Sequence, residues 1–473
     1  MNRLVNFFLS LKLTVVLLSL SMVLVMAGTL AQIDKDIWAV MEQYFRCYIA
    51  RIDLFVFFPR SLDIPRNIWI PFPGGFLIGL MLTLNLLAVH SASFKILARG
   101  GRRIAGLVVL LVGIFVVAGV MFGWGTSSVA ATEDDAFWRV FLRLGRGTLA
   151  AVVLYAACHL LYRQRAGNVL LHGGILFLLV GEFITAQFAV EATLTLKEGE
   201  TANYLDRSQE LELAFTETSN PDHDIVTVIP QDLLVDGATI RQDNLPFDIR
   251  VNRYMLNSNY PQPLTGISDA LLERYPHYHG VAAQYYVSET REVSGTAGAR
   301  NAPTVDVELV DKASGASLGR YLFSTWFYPN FVNRSWDLPT IIEVNGRTFI
   351  AYYRFKREYL VSPDGNPYTI TLLDFKHERY EGTQMPKDFS SRIRLVNPGD
   401  DIDRELRIWM NNPLRYARRT FYQSGYLPDD SGTILQVVRN DVWMIPYLSC
   451  MIVFVGMIAQ FGQSFQRYLR RDA

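Results

Sequence analysis

The sequence predicts a polytopic α-helical membrane protein, with about six transmembrane helices and a large extracytoplasmic β-rich domain inserted before the last of them. Three observations predict it. Half of the 473 residues are apolar, yet the apolar residues crowd the first 190 positions and the last 35, leaving most charges between. Lysine and arginine gather at alternate ends of the apolar runs. Between 191 and 440 the pattern changes to the period-two alternation of strands.

Taken in order, the first run, Leu11–Gln32, reads LKLTVVLLSLSMVLVMAGTLAQ. It is long enough to cross about 30 Å of hydrocarbon at about 1.5 Å per residue. A cleaved signal peptide is the competing reading, because small residues cluster from Ala27 to Ala31. The apolar core exceeds an ordinary h-region and lacks a clean A-x-A, so the run is read as a span. The outer loop that follows, Asp34–Pro73, is expected to be helical over Ile37–Ile52. Its apolar and aromatic Leu54–Phe58 is expected against the membrane face or the β domain, the depth that Trp and Tyr favour. Further spans are predicted at 74–94, 104–121, 148–162 and 168–190, which completes a membrane domain over 1–190. The last span is predicted at 442–461, within a C-terminal segment 441–473 that ends in a basic tail.

Basic residues set the orientation. Arg3 and Lys12, then Lys95, Arg99, Arg102 and Arg103, then Arg163 and Arg165, and finally Arg467, Arg470 and Arg471 all fall on one side, with Asp472 the only acid there. The opposite loops mix signs: Asp34, Lys35, Asp36 and Arg46 in the first, Glu133, Asp134, Asp135, Arg139 and Arg143 in the second. By the positive-inside rule the termini are cytoplasmic.

That topology puts 191–440 outside. Leu194/Leu196, Phe247/Ile249/Val251, Val305/Val307/Leu309 and Leu406/Ile408/Met410 each alternate one apolar and one polar face. Ile341–Val344 and Thr348–Phe355 flank Asn345–Gly346, a strong hairpin signal. Ser288–Thr304, rich in Gly, Ala and Ser, is expected to be a mobile loop within one continuous domain or a boundary between two β subdomains.

Zero formal net charge argues against a nucleic-acid partner, which needs a concentrated basic face. Cys47, Cys158 and Cys450 form no C-x-x-C pair, so dithiol exchange, a disulfide framework and a zinc site lack support. No G-x-S-x-G, P-loop or dinucleotide fingerprint occurs, and neither a hydrolase nor a nucleotide-driven pump is indicated.

Histidines carry the remaining chemistry. The run Phe76, Ile78, Leu80, Leu84, Leu87 delivers His90 to the end of its span, just before the basic stretch Lys95–Arg103. An ionisable side chain inside a membrane helix is a functional candidate by default. Burial favours the neutral imidazole that ligates metals. The alternative is a helix-end histidine that reaches the polar interface. His159 and His172 fall at the same depth in two other spans; two such rings can clamp a haem iron from opposite faces, or each can pair with a ligand from another subunit. Glu182 lies in the outer half of the fifth span, protonated or paired with a neighbouring helix. Outside, His277 and His279 form an H-x-H that a strand would point to one face, and His223 and His377 are expected to be solvated.

Tyr368–Arg394 (YTITLLDFKHERYEGTQMPKDFSSRIR), Met410–Tyr426 (MNNPLRYARRTFYQSGY) and Ile434–Tyr447 (ILQVVRNDVWMIPY) resemble the outer-domain signature of the ResB/CcsB family of cytochrome c biogenesis proteins. Arg165–Gly181 (RAGNVLLHGGILFLLVG) and the N-terminal apolar run are also similar to family segments, whereas 206–345 matches only in general character. The resemblance implies a bacterial cytoplasmic (inner) membrane protein of the system II pathway, which joins haem to apocytochrome c outside the membrane. It implies a ResC/CcsA-like partner bearing a tryptophan-rich haem motif. That motif is missing here, where Trp124 stands alone in Gly-Trp-Gly. The chain is therefore expected to be an accessory half of a two-part synthase that transports or transiently binds haem b.

Asn85–Phe94 (NLLAVHSASF) is similar to the family stretch that carries a transmembrane haem-ligand histidine, which makes His90 the first-choice axial ligand of the iron. His172 stands where many relatives have histidine. The resemblance also allows Arg415, Arg418 and Arg419 to meet haem propionates or an acidic partner surface, against the reading of a solvated strand end. One departure matters: family members commonly have four spans, so 104–121 and 148–162 look like an inserted pair. The rival expectation is a membrane-anchored β scaffold that stabilises the partner and touches no haem.

Overall fold

Two neighbouring strands carry the β-rich domain directly into two packed membrane helices. Val190–Lys197 follows one apolar helix and Gly432–Arg439 precedes another; the strands pair antiparallel, Val190 opposite Arg439 and Lys197 opposite Gly432. The computed structural model describes residues 2–35, 37–58, 62, 65, 68–122, 136–219, 223–293, 301–329, 337–382, 386–427 and 429–470. Trp124, the acidic Glu133–Asp135, positions 294–300 of the Gly/Ala/Ser loop, Arg471 and Asp472 lie outside the described residues.

The apolar helices are α1 (Leu11–Ala31), α2 (Gly75–Ser93), α3 (Gly101–Met121), α4 (Ala136–Tyr162), α5 (Ala166–Phe188) and α6 (Ile445–Leu469). They fall into five stretches long and apolar enough to cross a membrane, of which Leu144–Phe188 has 45 residues. At about 1.5 Å per residue that stretch is about twice the hydrocarbon thickness. A 3-10 turn at Arg163–Arg165, with Arg163 at φ 54°, breaks it into α4 and α5. The start of α4 at Ala136 rather than 148 has a simple cause. Arg139, Arg143 and Arg146 dilute the hydropathy of its first turns without opposing helix formation.

Helix α5 packs on α6 through small residues at heptad spacing. A Cβ at Gly167 would lie 2.8 Å from the Gln460 amide nitrogen, and one at Gly174 2.7 Å from Val453; one at Gly181 would collide with Ile445. From the other side a Cβ at Gly456 would lie 2.7 Å from the Leu171 nitrogen. Such close backbone approach is how helices associate where the surroundings are as apolar as leucine. Helix α1 packs on α2 and α2 on α5, while α4 packs on α5 and α6 and carries α3. The α3–α4 pair is thus appended to the group formed by the other four.

The first loop departs from expectation. Its helix stops at Phe45, after Ile37–Val40 and a π-turn at Met41–Phe45. Ile49–Asp53 is a strand paired with Trp69–Pro73, and Leu54–Phe57 turns as a single 3-10 element. Ala50 and Ile52 point into the cluster formed by Leu17, Leu24, Tyr44 and Ile78, and this burial outweighs the helical propensity of the segment.

In the β-rich domain an eight-stranded sheet runs from Thr340–Val344 through Arg347–Tyr359, Tyr204–Glu217, Val190–Lys197, Gly432–Arg439 and Arg419–Tyr426 to Leu414–Tyr416, with Ile225–Pro230 also paired to Tyr204–Glu217. Ser317–Ser324, Thr304–Asp311, Phe247–Met255 and Thr239–Ile240 form a second sheet; Ile402–Trp409, Pro386–Asn397, Thr369–Arg379 and Thr201–Ala202 form a third. The second sheet closes one core around Leu213, Phe215, Phe247, Val307 and Phe349. The third closes another around Leu196, Ile370, Ile393, Phe421 and Leu435.

Where Arg347–Tyr359 slips register against Tyr204–Glu217, between Phe355 and Arg357, charged residues occupy the large sheet. Arg354 bonds Glu212 at 3.0 Å with both side chains buried, and Glu358 receives Arg419 at 2.6 Å and Arg207 at 3.1 Å. Asp206 accepts from the Tyr328 hydroxyl at 3.2 Å. Burial pushes the Asp206 carboxyl up to about 6, against the opposing pull of Arg357.

Asn345–Gly346 forms the expected tight turn, at φ 54° and 74°, with Val344 opposite Arg347. Ala417–Arg418 turns the same way, at φ 50° and 59°, joining Tyr416 to Arg419 without a glycine or asparagine.

Candidate functional site

Helices α2 and α5 bring His90 and His172 together, with ring centroids 4.4 Å apart and planes inclined by 46°. His90 Nδ1 lies 2.7 Å from the Leu86 carbonyl and His172 Nδ1 lies 2.9 Å from the Asn168 carbonyl, each one helical turn back. A carbonyl only accepts, so in the neutral ring Nδ1 carries the proton and Nε2 keeps its lone pair. Both rings are half-buried. Each ring is oriented through Nδ1 by its own helix, the arrangement that in a neutral imidazole leaves Nε2 as the ligating atom.

Phe94 packs on His90 at 4.9 Å and Tyr162 lies edge-on to Phe94 at 6.5 Å. One turn before His90, buried Asn85 anchors α2. Its Nδ2 donates to the carbonyls of Phe8 (2.7 Å) and Ser10 (3.2 Å), and its Oδ1 accepts from the Thr14 hydroxyl at 2.7 Å. Those carbonyls come from the break between the short helix Asn2–Phe8 and α1. An amide in mid-helix thus satisfies backbone groups that the break leaves open. The sequence signal for this anchor was a lone asparagine in an apolar run.

The two rings touch, so a porphyrin does not fit between them in this arrangement. Metal–nitrogen bonds of about 2 Å on each side would hold the rings well apart. The clamp formed by these two histidines alone is set aside on that ground.

Other candidates separate from this pair. His159 is exposed on α4 and packs on Tyr155 of its own helix. Glu182 is exposed on α5, with no ion pair among the described residues. His277 and His279 do not share a strand face; His279 donates its amide to Arg320 and packs on Tyr321. Among the described residues no group of three or more His, Cys, Asp or Glu side chains is placed to hold a metal ion.

His377 corrects the expectation of a solvated side chain. Its side chain is 3% exposed, bonded through Nδ1 to Asp430 at 2.9 Å and packed on Tyr426 at 4.2 Å. The three arginines divide. Arg419 is buried and bound to Glu358, and Arg415 lies 3.5 Å over the Trp443 ring; only Arg418 is an exposed turn residue. Arg415 ties the large sheet to the segment just before α6, and Arg419 is held inside the β domain; neither stands free at a strand end.

Apolar helices bearing a paired-histidine face, joined through adjacent strands to a two-core β domain, define a helical membrane protein with a large β-rich appendage. Residues 339–439, the strands from Thr340–Val344 to Gly432–Arg439, match the ResB-like family. The chain is similar to Protein NrfI of Wolinella succinogenes, 24% identical over 354 residues that cover 74% of this chain and 33% of that protein. It is also similar to the cytochrome c biogenesis protein CcsB of Prochlorococcus marinus, 31% identical over 88 residues, 18% of this chain and 20% of that one. The ResB-like match thus covers the C-terminal part of the β-rich domain. The chain spans about a third of the length of the first of these relatives and about a fifth of the second.

Proposed function

We propose that this chain works in cytochrome c biogenesis as the ResB/CcsB-like half of a system II cytochrome c synthase, conducting haem across the membrane and supporting its covalent attachment to apocytochrome c. It crosses the bacterial cytoplasmic membrane six times with both termini cytoplasmic, and 191–440 is its extracytoplasmic domain. The observation that carries this reading is the His90–His172 pair, each ring oriented through Nδ1, at helix ends flanked by Lys95 and Arg165.

His90 supplies one axial nitrogen to the iron of haem b, the cargo. A ResC/CcsA-like partner with a tryptophan-rich motif supplies the other, since the contact with His172 leaves no room for an iron between the two rings. His172 holds the His90 ring in place and is the next imidazole available on the same face. Apocytochrome thiols add to the haem vinyl groups on the partner's outer side, so this chain is an accessory subunit rather than a self-sufficient enzyme.

The experiment is absorbance of haem co-purified with the full chain and its partner. Loss of the haem bands in His90→Ala, with the complex still assembled, supports the reading. An unchanged spectrum sinks it. The touching rings favour one second reading, a β scaffold that stabilises the partner without binding haem, and that same unchanged spectrum would support it.

A further inference from the structure

Two of the strand edges in the β domain contrast. Ile402–Trp409 is the edge of its sheet and carries Asp403, Arg404, Glu405 and Arg407, all exposed. Charges of this kind ordinarily blunt an edge against further pairing. Ile225–Pro230 (IVTVIP) carries none. It pairs with Tyr204–Glu217 from Ile225 opposite Glu217 to Pro230 opposite Glu212, and among the described residues no strand pairs with its other side. Ile229 is fully buried in the core, whereas Ile225 (43%), Val226 (37%) and Val228 (40%) are exposed. An uncharged edge with apolar side chains in solvent is a template for one more strand.

The charges around it select the occupant. Asp224 precedes the strand, Asp232 lies in the 3-10 turn Gln231–Leu233 that follows, and Asp236 lies just beyond; all three are exposed. From 224 to 240 there is no lysine or arginine, and among the described residues Asp224 and Asp232 have no ion-pair partner. Leu233 and Val235, exposed between the aspartates, extend the apolar character of the segment.

We propose that Ile225–Pro230 is an acceptor edge for an extended, cationic segment of an unfolded polypeptide, which adds to the large sheet as a strand. Main-chain hydrogen bonds along the edge supply affinity, Val226 and Val228 receive alternate apolar side chains, and Asp224 and Asp232 receive lysine or arginine near the ends. Six residues give about 20 Å of pairing. The inference goes beyond the haem reading and does not depend on His90.

The test uses the full chain in nanodiscs and a fluorescein-labelled twelve-residue peptide of alternating lysine and valine, read by anisotropy. Binding at least tenfold tighter than that of the same peptide with glutamate for lysine is expected. Asp224→Asn with Asp232→Asn is expected to weaken binding of the lysine peptide at least threefold, as is Val226→Ser with Val228→Ser, both with an unchanged thermal midpoint. All four positions are exposed, so folding is expected to survive; if one pair unfolds, the other decides. Equal binding of the two peptides, or binding untouched by the substitutions, overturns the proposal. Sedimentation velocity separates the rival occupant: self-association of the wild type that the serine pair abolishes would mean that the edge joins two copies of this chain, and the client reading falls. Haem absorbance stays unchanged in all of these variants even if the His90 reading fails.

Discussion

The imidazole of His90 rests against that of His172, centroids 4.4 Å apart, and each ring gives its Nδ1 proton to a carbonyl of its own helix. The two rings meet by contact, each oriented by its own helix. Removing either one exposes the other.

Under the proposed function the two removals differ. His90→Ala is expected to abolish co-purified haem, whereas His172→Ala reduces it only several-fold, because His172 orients the ligand without completing it. Haem per complex, measured as the pyridine haemochrome, checks this. Equal and complete loss in both variants would make His172 an iron ligand in its own right.

The charged seam between the two β cores sets stability. Arg354 and Glu212 are both buried and bonded at 3.0 Å. Glu212→Ala or Arg354→Ala leaves an unpaired charge and is expected to cost about 3–5 kcal/mol, while Arg354→Met with Glu212→Leu is expected to be close to neutral. Thermal unfolding of the full chain in detergent, followed at the strand band of circular dichroism, distinguishes the two outcomes.

Asp206 gives the domain a pH dependence of predictable sign. Its folded-state value of about 6 lies above the ordinary 3.8, so the folded state holds the proton more tightly than the unfolded chain does. That contribution is fully present below about pH 4 and is lost as pH rises through about 6. It amounts to about 3 kcal/mol at most. Asp206→Asn is expected to flatten the unfolding midpoint between pH 4 and 6.5, and an unchanged slope would show that Asp206 does not titrate there.

Close helix packing predicts a contrast between adjacent glycines. A Cβ at Gly174 meets Val453 at 2.7 Å, whereas one at Gly173 meets nothing within 4 Å. Gly174→Leu is expected to destabilise by about 1–3 kcal/mol or more through overpacking, and Gly173→Ala to leave the thermal midpoint unchanged or slightly raised.

Much of the architecture could be read locally. Apolar runs announce helices and alternation announces strands because both depend on the spacing of neighbouring residues, and Asn345–Gly346 announces its turn because both residues accept positive φ. Reading failed where distant partners decide. Ile49–Asp53 became a strand because Trp69–Pro73 pairs with it, and His377 was buried by Tyr426 and Asp430 from another hairpin. Ala417–Arg418 turns tightly because the strands on either side must meet, whatever the turn residues prefer.

For the candidate site, the sequence by itself determined that His90 and His172 each stand at the end of an apolar helix, since hydropathy marks depth along a span. Only the tertiary structure decided that these two meet, that His159 does not join them and that Asn85 fastens the helix beneath His90. Depth is a property of one segment, whereas the face a helix turns to its neighbour is chosen by packing between segments, here by the glycines of α5 against α6 and by the docking of α2 on α5.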